Sequence, residues 1–152
     1  MKTIPWLLAA ATAAFWGSAH ADPPIDQAKC AAQASALYKL IETEQREGDI
    51  KWGMTNIHST FASHLNLRLG RCFLKFEMSG TDTQHRAQAV IRLLDVLSRE
   101  GGYVYDYAFW YEIGGKMYSC KLFPPEYKEQ VTCASRKEFD ASIAQYMETT
   151  KN

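Results

Sequence analysis

The sequence predicts an α+β fold: an N-terminal helix, a four-stranded antiparallel meander sheet and a short C-terminal helix, held by two disulfides. Three observations carry that prediction. Cys30, Ala34, Leu37, Tyr38 and Ile41 recur at helical spacing. Residues 72–78 and 103–113 alternate with the period of two that belongs to strands. Four cysteines, an even number, lie downstream of a leader-like N-terminus.

The leader comes first in the chain. Lys2 precedes an apolar run, and Ala19-His20-Ala21 closes it, the order of regions in a secretory signal. The run of about 13 residues is too short to span the hydrocarbon of a bilayer, so the expectation is cleavage near Ala21 rather than a membrane anchor. Residues 1–21 are then the signal peptide and residues 22–152 a single disulfide-linked domain, periplasmic or secreted. With Lys2 removed, the 17 basic residues become 16 against 17 acidic ones, and no basic stripe remains to meet nucleic acid.

Pro23 and Pro24 precede the first helix, read over residues 25–47, with Gly48 as its stop. Residues 49–58 lack sustained periodicity and read as a loop with Trp52 as a lid on the core. A polar approach carrying His64 and Asn66 leads into the first strand, where Cys72, Leu74, Phe76 and Met78 point one way and Phe73, Lys75 and Glu77 the other. Residues 86–99 fit either a helix capped by Thr81 or Asp82 or a strand buried on both faces. The turn-like Arg99-Glu100-Gly101-Gly102, leading into the next strand, favours the strand.

In that next strand Tyr103, Tyr105, Tyr107, Phe109 and Tyr111 fall on one face, expected to be core beneath the helices with Tyr103 and Tyr111 at its margins. Gly114-Gly115 turns the chain into a fourth strand, residues 116–123. Ser135 and Glu138 form a capping box ahead of Phe139, Ile143, Tyr146 and Met147, one face of the last helix. Cys120 and Cys133 flank the Pro124-Pro125 turn and pair with each other, which by elimination joins Cys30 to Cys72.

At His64, Asn66, Leu69, Arg71, Cys72 and Phe73 the chain resembles a loose group of small bacterial secreted proteins of uncharacterised function. Asp95-Val96, the pair Cys120 and Cys133, and the terminal helix extend the likeness, with Leu65 in place of the group's aromatic and Gly70 in place of a polar residue. The resemblance implies that the helix cysteine pairs with the strand cysteine and that residues 86–97 form a strand. It implies no activity.

The chemistry of the residues narrows the function classes. Oxidised cysteines exclude thiol catalysis, and no glycine-flanked serine elbow accompanies Ser59, Ser63 and His64. His58, His64 and His85 lack the short spacing of a metal site, and no glycine-rich phosphate cradle follows a strand, so neither metal nor cofactor is expected. Asp95, Asp106 and Glu112 are the acids on predicted strands that a glycosidase would draw on. The expectation is a non-enzymatic binding domain that recognises a protein or envelope component in an inhibitor- or immunity-like role, with His64, Asn66, Tyr103 and Tyr111 as candidate contacts. The alternative is a small envelope hydrolase built on His64 with a nearby acid or serine.

Overall fold

The computed structural model describes residues 26–51, 53–100, 103–123 and 130–148, with the side chains of 98–100 and 103–105 left out. In chain order the elements are α1 (Gln27–Lys51), β1 (Thr55–Asn66), β2 (Arg71–Thr81), β3 (Ala87–Glu100), β4 (Tyr103–Ile113), β5 (Lys116–Leu122), β6 (Val131–Thr132) and α2 (Arg136–Met147). The strands form one antiparallel sheet in the order of their sequence, a meander of six rather than four.

The first additional strand, β1, takes in much of the segment expected to be a loop and a polar approach. Its inward residues Ile57, Ser59, Phe61, Ser63 and Leu65 include two serines, which blur the apolar period that would announce a strand. A register shift between Thr55 and His58, with Asn56 at φ 51°, breaks the pattern further. The second, β6, has two residues, too few for any period to register.

Helix α1 begins on Asp26, whose carboxylate accepts from the Lys29 amide at 2.7 Å. It runs through Gly48 and ends at Gly53 (φ 82°), where the Gly53 amide donates to Ile50 O and the Met54 amide to Asp49 O. That pair of bonds is a Schellman closure, and the residue that stops the helix is the glycine free to adopt positive φ. Trp52, expected as a lid, lies outside the described residues.

The two helices cover opposite faces of the sheet. On one face Cys30, Ala34, Leu37 and Ile41 of α1 pack on Leu65, Cys72, Leu74, Phe76, Met78, Leu94 and Val96. On the other, Phe139, Ile143 and Tyr146 of α2 pack on Phe73, Ile91, Leu93, Tyr107, Ala108 and Trp110. The alternation read for β2 holds, but Phe73 is as deeply buried as its neighbours because α2 roofs the side it faces. The same double coverage explains why β3 carries a near-continuous apolar run that resembled a helix.

Strand β4 departs from the single aromatic face expected of it. Leu93 pairs with Ala108 and Leu94 with Asp106, so Tyr107 is bulged out of register. The bulge switches the phase of the strand. Tyr107 joins Ala108 and Trp110 under α2, whereas Phe109 and Tyr111 emerge half-buried on the α1 side. Strands β4 and β5 turn through Gly114 (φ 58°) and Gly115 (φ 74°), positions where a side chain would be strained.

Both disulfides pair as expected. Cys30–Cys72 ties α1 to β2 (Cα–Cα 5.5 Å), and Cys120–Cys133 ties β5 to the approach to α2 (Cα–Cα 5.3 Å). At that approach Ser135 Oγ accepts from the Glu138 amide, while Glu138 reaches back to the amide of Ala134 rather than to that of the cap residue itself. No helix among the described residues is long and apolar enough to cross a membrane.

Candidate functional site

Helix α1 is too narrow to roof its face of a six-stranded sheet, and it lies over β1, β2 and the near part of β3. Beyond it the pairing brings Arg92 of β3 beside Phe109 of β4 and Lys121 of β5, with Val90, Tyr111 and Ser119 in the next row. These rows form a shelf of half-buried aromatic rings on the half-face that α1 does not reach, with no other described element lying over it. Tyr118 enters the shelf through a second register shift, between Tyr111 and Glu112, and stands 54% exposed. Its ring lies 6.0 Å from that of Tyr111, tilted by 47°, and Lys116 Nζ sits 5.6 Å from the Tyr118 centroid.

Where the shelf meets the C-terminal half of α1 there is a cavity of about 240 Å³ lined by Ile41, Glu44, Gln45, Gly48, Asp49 and Arg92. Arg92 is held by Asp106 through two bonds of 2.9 and 3.1 Å, which leaves little net charge at that side. Asp49 Oδ1 accepts from Gln45 Nε2 at 3.0 Å, while Oδ2 is buried and has no partner among the described residues. Burial raises the Asp49 carboxyl above its ordinary value, and the Gln45 bond opposes this only in part.

Tyr111 donates weakly to Gln88 Oε1 at 3.4 Å. Its phenol is held above its ordinary value, first by burial, then by the charges of Asp49, Tyr118 and Asp82, with Arg86 acting the other way. Asp82 is fixed in the β2–β3 turn, where it accepts from the Gln84 and Arg86 amides and from Arg86 Nε. Those amides and the guanidinium lower its carboxyl below the usual range. The shelf is therefore amphipathic, aromatic at its centre with the ion pairs Arg92–Asp106 and Arg86–Asp82 nearby.

The three candidate contacts whose side chains are described, His64, Asn66 and Tyr111, do not converge. Tyr111 lies on the shelf. His64 and Asn66 lie on edge strand β1, separated from β4 by β2 and β3, and their side chains turn to the α2 face. The side chain of Tyr103 lies outside the described residues. Asn66 is committed to structure: Nδ2 donates to Gln145 O and Tyr146 O at the end of α2, and Oδ1 accepts from the Leu69 amide. Among the described residues no hydrogen bond or ion pair engages His64.

The strand acids separate in the same way. Asp95, 1% exposed, receives Arg71 Nη1 at 2.6 Å and the Leu97 amide at 3.0 Å, and Arg71 Nη1 also donates to Tyr107 Oη at 2.6 Å. Asp106 holds Arg92 on the opposite face, and Glu112 accepts from Trp110 Nε1 at 3.0 Å. Each carboxylate has a cation or donor of its own. Among the described residues no three histidines, cysteines or acids are grouped to hold a metal.

Reading the sequence alone missed Tyr118, Arg92 and Asp49 as neighbours of Tyr111. The Gly114-Gly115 turn already set β5 beside β4; what no local pattern carries is the register shift that brings Tyr118 to Tyr111 and the half of the face that α1 does not reach. Comparison of the chain with protein-family models, with curated proteins and with solved structures finds no match.

Proposed function

We propose that this chain is a non-enzymatic, extracytoplasmic binding domain that recognises a protein or envelope component through the aromatic shelf of β4 and β5, in an inhibitor- or immunity-like role. The observation that carries the proposal is the half of the sheet face that α1 leaves uncovered, where Tyr111 and Tyr118 stand side by side with Tyr118 mostly exposed. Tyrosines suit such a surface because each buries a large ring at small entropic cost while its hydroxyl stays wet.

Two disulfides support an oxidising compartment, and the leader-like N-terminus agrees with export. The experiment is affinity capture from envelope extract with the immobilised protein, run beside a Tyr111→Ala/Tyr118→Ala variant. Enrichment of a component by the parent and its loss in the variant is the expected result. Equal capture by both would move the recognition surface elsewhere, and turnover of a cell-wall substrate by the purified protein would overturn the reading altogether.

A further inference from the structure

Strand β1 is an edge of the sheet, and its sequence, Thr-Asn-Ile-His-Ser-Thr-Phe-Ala-Ser-His-Leu-Asn, contains no Lys, Arg, Asp, Glu or Pro. Those residues are the usual means by which a sheet edge is kept from pairing with another strand. Two bonds from α1 identify which backbone groups face outward: Ser59 O accepts from Tyr38 Oη at 3.4 Å, and the Leu65 amide donates to Gln27 Oε1 at 2.9 Å. Backbone groups of alternate residues point the same way in an antiparallel ladder, so the N–H and C=O of Phe61 and Ser63 also face outward. Among the described residues nothing bonds to them.

We propose that β1 pairs with β1 of a second copy of this chain, antiparallel across a two-fold axis at Ala62, which joins the two sheets into one. The chain's own helix occupies one group at Ser59 and one at Leu65, so the fully open window is Phe61 to Ser63 and is centred on Ala62. A two-fold at that residue sets Phe61 opposite Ser63 of the copy and Ser63 opposite Phe61, and satisfies all four outward groups at once. Phe61, now 39% exposed and stacked on Tyr38 at 4.4 Å, gains cover beside the small Ser63 of the copy.

Two further features favour a second copy as the occupant. An uncharged strand meets itself without like-charge repulsion. On the flank of α1 that overlooks β1, Ala31 and Ser35 lie between the edge-contacting Gln27 and Tyr38, and these small side chains leave room for the helix of the copy on the same face.

Sedimentation of the purified protein from about 1 µM to about 1 mM spans the range from stable to transient association. Concentration-dependent conversion from monomer to dimer is expected. Ala62→Lys, on an exposed position, sets two ammonium groups against each other at the axis and should weaken dimerisation at least tenfold while leaving the circular dichroism and the urea midpoint of the monomer unchanged. Ala62→Cys should yield a covalent dimer on mild oxidation with both native disulfides retained, whereas Thr60→Cys, which does not face its own copy, should not. A protein that stays monomeric throughout, or a dimer indifferent to Ala62→Lys, would overturn the proposal.

Discussion

Truncating Arg71 is the sharpest test of how the sheet is held on its α2 side. Asp95 is almost without solvent contact, and its Oδ2 lies 2.6 Å from Arg71 Nη1, whereas the Arg71 side chain is 41% exposed. Breaking a fully buried pair costs about 3–5 kcal/mol, and an exposed pair is worth about 0–1 kcal/mol. The Arg71–Asp95 pair is asymmetric between these limits. Arg71→Ala strands a buried carboxylate with the Leu97 amide as its remaining partner at that site, and after discounting for the solvated guanidinium the expected cost is about 2–4 kcal/mol. Asp95→Asn keeps an acceptor for Leu97 and leaves a guanidinium that can turn to water, so its expected cost is about 1–2 kcal/mol. Urea unfolding at neutral pH with disulfides intact measures both, and the double variant should fall short of their sum by about 1 kcal/mol or more. A larger cost for Asp95→Asn than for Arg71→Ala would refute the argument from burial.

Four other outcomes follow from the geometry. Gly48→Ala should stabilise by about 0.5–1 kcal/mol, because the glycine is inside α1 with open space where a Cβ would stand, whereas Gly53→Ala should destabilise by about 1–3 kcal/mol at its positive φ; thermal melts of the pair test where α1 ends. Replacing Cys30 and Cys72 by alanine removes a crosslink over 42 residues and should cost about 4 kcal/mol, against about 3 kcal/mol for the 13-residue Cys120–Cys133 loop, as read by denaturant midpoints. The phenol of Tyr111 is raised in the folded state, so its contribution to stability is complete below the unfolded value near 10 and is lost as pH rises through the folded value; Tyr111→Phe should flatten the alkaline limb of a stability–pH profile. The Asp49 carboxyl is also raised, so its contribution is complete below the unfolded value and is lost as pH rises through the folded one; Asp49→Asn should leave stability at neutral pH unchanged or higher, measured by the same unfolding assay.

How far the sequence revealed the fold depended on whether a residue's neighbours repeated its signal. The stripe from Cys30 to Ile41 and the alternation from Cys72 to Met78 were legible because each position reinforced the next, and both were found where the period placed them. The pairing of Cys30 with Cys72 followed from elimination among four cysteines. Strand β1 was hidden because Ser59 and Ser63 take inward positions, where Ser59 Oγ is satisfied by Tyr38 Oη and Glu42, a use of a hydroxyl that hydropathy cannot register. The facing of the β4 aromatics was hidden because the bulge at Tyr107 is a property of the pairing with β3 and of neither strand alone. The burial of Asp95 against Arg71 was not legible because the two are 24 residues apart in sequence. The shelf itself depends on what α1 fails to cover, and an absence of contact leaves no mark in a local pattern.

The proposal that this is a binding domain rests on the shelf, and one measurement addresses it most directly. Tyr118 is mostly exposed, so Tyr118→Ala should change stability by no more than about 0.5 kcal/mol. With folding thus preserved, the affinity of the parent and of Tyr118→Ala for the component captured from envelope extract can be compared by calorimetry. A loss of tenfold or more in the variant at unchanged stability is the predicted result. Equal affinities would contradict recognition through the shelf.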